Sequence, residues 1–120
     1  TASLVEAADQ ARSKGVRSIM LDPGFGFGKS VQDNFRLLDG VSHLTAAGYP
    51  VLVGVSKKSS IGVALGSAAS PAPVQDRLYG SLGATAVAVM RGASIVRTHD
   101  VAQTSEMLRV LVAAAGGSIV

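Results

Sequence analysis

The stretch Arg17-Ser18-Ile19-Met20-Leu21-Asp22-Pro23-Gly24-Phe25-Gly26-Phe27-Gly28-Lys29-Ser30 decides the fold. Its first five residues are largely apolar and run into Asp-Pro-Gly, the pattern of a buried strand that ends in a turn. A glycine-rich loop follows, and Ser30 with Asp33 three residues on has the form of a capping box. Phe35, Leu38, Val41, Leu44 and Thr45 then keep helical spacing until Gly48. Pro50 resets the chain, and Val51-Leu52-Val53 makes a second apolar run closed by Gly54. Strand, helix and strand in this order read as a parallel βαβ unit.

Upstream, Leu4, Ala8 and Ala11 recur at helical spacing until Gly15 stops them. Downstream, Ser59 to Leu65 fits a short helix, and Gly66 to Pro73 is a loop of small residues with two prolines. A long helix is expected from Val74 to Arg91, ended by Gly92, with Leu82 to Met90 apolar enough to be packed on several sides. Ile95-Val96 leads into Arg97-Thr98-His99-Asp100 as a third strand end. Asp100 with Gln103 can cap a last helix in which Val101, Thr104, Leu108 and Leu111 share a face. Strand beginnings near Arg17, Pro50 and Ala93 lie 33 and 43 residues apart, close to the roughly 30 residues per unit of an eightfold βα barrel. Three parallel strands cannot close a barrel. The chain is therefore an open α/β sheet or the last three-eighths of a (β/α)8 barrel, and in both architectures ligands meet the carboxyl ends of the strands.

Composition agrees with a two-sided α/β layer. Only 16% of the 120 residues are charged, 48% are hydrophobic, 14 are glycine and none is cysteine. That excludes a disordered tail and a disulfide scaffold. The net charge of +3 and five Phe and Tyr residues make a poor nucleic-acid binder. Glycines and prolines interrupt the longest uncharged stretches, so no membrane span is expected. The sequence opens on Thr1 inside a helical pattern, without a basic and apolar leader, and reads as a single-domain fragment, residues 1–120, with no secretory signal.

The unusual residues sit at the strand ends. Residues 22–30 imitate a phosphate-binding P-loop, but the first glycine of that motif falls on Pro23, and two phenylalanines stand where backbone N–H groups ought to wrap phosphate. The dinucleotide pattern fails as well, at Lys29. Asp22 either braces its turn or accepts hydrogen bonds from a ring with an amidine-like N–H pair. Phe25 and Phe27 would ordinarily pack, yet single glycines between them leave few neighbours within the loop. At the second end, Lys57 and Lys58 stand where a helix dipole favours anions, and they either meet an anionic or electron-rich ligand or are two solvated lysines on a loop. Ser59 is an N-cap or meets a ligand carboxylate. At the third end, strand alternation puts Arg97 and His99 on one side, a good pocket for phosphate or pyrophosphate. His43 is read as structural, and Asp100 as a cap. No zinc motif or Ser-His-acid triad is present.

Four stretches, Asp-Pro-Gly-Phe-Gly-Phe-Gly-Lys at 22–29, Gly-Val-Ser-Lys-Lys-Ser at 54–59, Arg-Leu-Tyr-Gly-Ser-Leu at 77–82 and Arg-Thr-His-Asp at 97–100, together resemble the dihydropteroate synthase family. The resemblance implies a C-terminal portion of a (β/α)8 TIM barrel, about three parallel strands with flanking helices. It also implies condensation of 6-hydroxymethyl-7,8-dihydropterin pyrophosphate with para-aminobenzoate, releasing pyrophosphate, in folate biosynthesis. By the same resemblance Asp22, Gly54 and Lys58 would meet the pterin, and Phe27, Lys57 and Ser59 the para-aminobenzoate. Arg97 and His99 would hold pyrophosphate, with Lys58, Arg97 and His99 assigned to catalysis. Lys57 departs from the arginine that many members carry. Mg²⁺ is implied as a cofactor with its ligand outside this segment, as are a cytoplasmic location and a homodimeric full-length enzyme of a family that sulfonamides target. The isolated chain is expected to be inactive. The alternatives are a fragment of a pterin-binding methyltransferase barrel, which has no need of Lys58 with Arg97 and His99, and a non-functional truncated half-barrel with exposed sheet edges.

Overall fold

A computed structural model describes residues 2–25, 31–55 and 59–116. Six α-helices and two short strands lie along the described residues. They are α1 (Ala2–Ser13), α2 (Val31–Asp39), α3 (Val41–Ala46), β1 (Leu52–Val53), α4 (Ser59–Leu65), α5 (Leu78–Met90), β2 (Ile95–Val96) and α6 (Val101–Ala114), with a 3₁₀ turn at Val74–Asp76 before α5. β1 and β2 are parallel, with Leu52 opposite Ile95 and Val53 opposite Val96. Leu21 joins the other side of β1 through a parallel bridge to Val51. Its N–H donates to the Pro50 carbonyl at 2.9 Å, and its own carbonyl accepts from the Leu52 N–H at 2.8 Å. The order across the layer is thus Leu21, β1, β2, as the parallel reading requires.

The expected strand from Arg17 to Leu21 shrinks to that single bridge. An extended run becomes a ladder only with neighbours to pair with, and no described residue pairs with it on its far side. Met20 is accordingly 51% exposed although it was expected to be buried. At the opposite edge Ile95 is exposed, and an open groove of about 880 Å³ lies between β2 and α6, lined by Val96, Val101, Leu108 and Val112 among others. The Cα radius of gyration is 15.0 Å and the extents are 46 × 35 × 20 Å. A closed domain of this length would have a radius near 13.6 Å. The flattened slab is what a sheet with two unpaired edges gives.

The core is one cluster. Val41, Val51, Val53, Val55 and Phe25 are almost fully enclosed, joined by Leu21, Leu38, Leu44, Ile61 and Ala88. Two expected helices are interrupted. The run after Ser30 divides at Gly40, φ −83° and ψ −1°, into α2 and α3. The run from Val74 divides at Arg77, whose φ of −100° and ψ of 6° leave the helix. Its side chain instead lies on Gly62 and donates from Nε to the Ala72 carbonyl at 2.8 Å. α5 packs against α2, α4 and α6, as the apolar run from Leu82 to Met90 leads one to expect, burying Ala84, Thr85, Ala88 and Val89 while Val87 and Met90 stay exposed. On α6 only Thr104 of the expected apolar face is buried, and Val101 is exposed. Gly92, with φ of +114°, ends α5 as expected. The capping box at Ser30 lies outside the described residues.

α1 is pinned by Tyr49, whose ring is buried, whose hydroxyl donates to Asp9 at 2.5 Å, and over which the Arg12 guanidinium lies 4.6 Å from the centroid. The hydrogen bond to Asp9 and burial hold the Tyr49 hydroxyl above its ordinary pKa. A raised folded-state value favours the protonated form, so this contribution is complete below about pH 10 and is lost as pH rises through the folded value. Alkaline denaturation of Tyr49→Phe should therefore fall less steeply above about pH 10 than that of the native chain, as followed by circular dichroism. An identical alkaline limb in the two proteins would show that the hydroxyl contact does not anchor α1.

Candidate functional site at the strand ends

The three strand ends open on one rim. The Leu21 strand delivers Asp22, β1 delivers Gly54 and β2 delivers Arg97, because parallel strands point their carboxyl ends the same way. Asp22 is held by its own turn, with Oδ1 accepting the Gly24 N–H at 2.9 Å. Both readings of Asp22 are therefore compatible, since the turn occupies one oxygen and leaves the other available. That oxygen, Oδ2, faces Arg97 Nη1 at 3.6 Å.

Arg97 reaches Asp22 across β1. Two strand spacings separate the outer strands, about 9–10 Å, and the long arginine side chain spans the gap over Gly54. A Cβ at Gly54 would lie 2.5 Å from Nη2, 2.8 Å from Cζ and 2.9 Å from Nε of Arg97. The absent side chain lets the guanidinium lie flat on the strand end. Both members of the pair are partly exposed, with 56% of the Arg97 side chain and 41% of Asp22 accessible, so the contact is screened and exchangeable.

β2 stops at Val96, although the Arg97 N–H still donates to the Val53 carbonyl at 3.0 Å. The strict alternation expected to align Arg97 with His99 therefore does not continue, and His99 is exposed two residues beyond. Asp100 takes the position before α6 without a side-chain hydrogen bond to the helix. The turn is closed instead by Thr98, whose hydroxyl meets Thr104 at 3.0 Å and accepts the Asp100 N–H at 3.1 Å. His43 is exposed on α3.

Phe25 belongs to the core, 2% exposed, with its ring edge-on to Phe35 at a centroid distance of 6.0 Å and an angle of 75°. The partner that the glycine-rich loop could not supply comes from α2. Phe27, Lys57 and Lys58 lie outside the described residues; Ser59 is the first residue of α4. One neighbour was missed by the sequence reading. Asn34 of α2 and Ser60 of α4 are both buried and joined by a 2.9 Å hydrogen bond from Asn34 Nδ2. This ties the start of α4, and so the exit of the segment carrying Lys57 and Lys58, to α2. An asparagine at a core-facing helical position is the signal that could have found it.

Residues 1–99 match the family model described as pterin binding enzyme. The chain is 44% identical over 111 residues to a dihydropteroate synthase of Haemophilus influenzae, covering 91% of this chain and 38% of that one. It superposes with a TM-score of 0.84 and 42% identity on the Thermus thermophilus dihydropteroate synthase in complex with 6HMPPP, covering 93% of this chain and 43% of that one. The same enzyme in complex with 4-aminobenzoate gives a TM-score of 0.84 over 93% and 44%. The chain thus spans about two-fifths of the length of the relatives it matches, and of the two architectures that the strand spacing left open, the partial barrel implied by the family resemblance is borne out. With its three strand ends on one rim and a family match across most of its length, the chain belongs to the pterin-binding enzymes.

Proposed function

We propose that the chain forms the pterin-holding and pyrophosphate-holding rim of a dihydropteroate synthase, an enzyme that joins a pterin methylene carbon to the amine of 4-aminobenzoate. The observation that carries this reading is the meeting of Asp22 and Arg97 over Gly54. It sets a carboxylate that can take ring N–H groups beside a guanidinium suited to phosphate oxygens. In the reaction the bond between the methylene carbon and the bridging oxygen breaks, and its electron pair leaves on pyrophosphate. The amine nitrogen bonds to the carbon and sheds a proton. Asp22 would orient the ring, while Arg97 with His99 would offset the charge that grows on the departing oxygen. Lys58 would contact the pterin, and Lys57, Phe27 and Ser59 the aminobenzoate.

Among the described residues no three His, Cys, Asp or Glu side chains are grouped so that they could hold a metal ion, and Asp22 is engaged by Gly24 and Arg97. They do not make a Mg²⁺ site, and no step is assigned to the ion. Two-fifths of a barrel also presents only part of a pocket rim. Dihydropteroate formation should accordingly be absent from the purified chain and appear when the chain replaces the matching segment of the Haemophilus influenzae synthase. A folded hybrid that binds both substrates and forms no product would overturn the proposal, and turnover by the isolated chain would overturn its second half.

A further inference from the structure

We propose that Arg97 and the pterin ring compete for Asp22, so that pterin binding transfers Arg97 to the pyrophosphate and couples the two halves of the substrate. The inference rests on the functional reading above and concerns what the rim does before substrate arrives. Asp22 Oδ1 is committed to the Gly24 N–H, and Oδ2 faces Arg97 Nη1. The guanidinium meanwhile covers the end of β1 at Gly54, the place where a flat ring held by Asp22 would lie. A guanidinium and the amino and N–H edge of a pterin are forked donors of the same kind, and a ring laid on the strand end by Asp22 would claim the space over Gly54 that the Arg97 guanidinium fills. The rim therefore carries its own imitation of the ligand.

Displacement leaves Arg97 without its carboxylate, and a multiply charged phosphate group alongside is the stronger partner. The affinity for pyrophosphate thus rises when the ring is bound, and by linkage the affinity for the ring rises equally when pyrophosphate is bound. The pair being broken is partly exposed, so the coupling is modest, about two- to fivefold. Arg97 becomes a specificity-determining residue. Anions lacking the ring compete with Asp22 for it, and once the ring departs Arg97 returns to Asp22 and loosens the leaving group.

Calorimetric titration of the chain with inorganic pyrophosphate, with and without saturating 6-hydroxymethylpterin, tests the exchange, together with the reciprocal titration. The expected result is about two- to fivefold tighter binding in each direction. The Arg97 Nε–Hε resonance, identified by its loss in Arg97→Lys, should move on adding the phosphate-free pterin. Asp22→Asn should move it the same way without ligand. Binding of both ligands with unchanged affinities would reject the exchange and leave the functional reading standing. Failure of both ligands to bind would reject the functional reading and the exchange with it. If Asp22→Asn does not fold, the two titrations of the native chain decide.

Discussion

Replacing Phe25 with alanine should destabilise the fold by about 3–5 kcal/mol, the range for removing an enclosed phenylalanine. The ring is 2% exposed and edge-on to Phe35, within the same cluster as Leu21, Leu38 and Val53. It therefore ties the end of the first strand to α2 at the position where the glycine-rich loop begins. Because so few residues enclose this core and the sheet edges are open, the space left by the ring has little around it that can rearrange to fill it. Phe25→Leu preserves most of the volume and should cost less than about 1.5 kcal/mol. Urea denaturation resolves the two, with a lower midpoint and an unchanged slope expected for Phe25→Ala. A midpoint equal to that of the native chain would mean that Phe25 serves the ligand side of the loop and not the core.

The largest effect on binding is expected at Asp22. Asp22→Ala should weaken pterin binding by at least about a hundredfold, the loss that follows when a charged acceptor of paired N–H groups is truncated. The same change should cost little stability, since the ion pair it removes is partly exposed and the remaining loss is one turn hydrogen bond to Gly24. Asp22→Asn keeps an acceptor for Gly24 and lacks the charge, and should fall between. The pattern to look for is a thermal midpoint close to native beside a collapse in affinity. A mutant that binds pterin as the native chain does would show that Asp22 only braces its turn.

Much of this fold is legible in the amino-acid sequence. The short helix over 59–65, the stop at Gly92 and the parallel order of three strand ends follow from local signals: apolar spacing, glycine at helix ends and proline at resets. What escaped were events decided between distant segments. No spacing rule announces that Arg77 will leave a helical run to lie on Gly62. The strand at 17–21 has the right residues, but pairing depends on a neighbour, and here it is reduced to one bridge. The site shows the same division. Asp22 and Arg97 were singled out because each stands at a strand end, whereas their contact depends on an arginine long enough to cross β1 and on a glycine flat enough to be crossed. The buried pair of Asn34 and Ser60 went unseen because each residue alone looks like an ordinary polar helix position.

The central claim is that a pterin binds on the rim formed by the three strand ends. Titration of the isotopically labelled chain with 6-hydroxymethylpterin, followed by amide chemical shifts, tests it most directly. The account predicts shifts concentrated at Leu21 to Phe25, Val53 to Val55 and Val96 to His99, and their disappearance in Asp22→Ala. Shifts confined to the groove between β2 and α6, around Val96, Val101, Leu108 and Val112, and surviving in Asp22→Ala would contradict it.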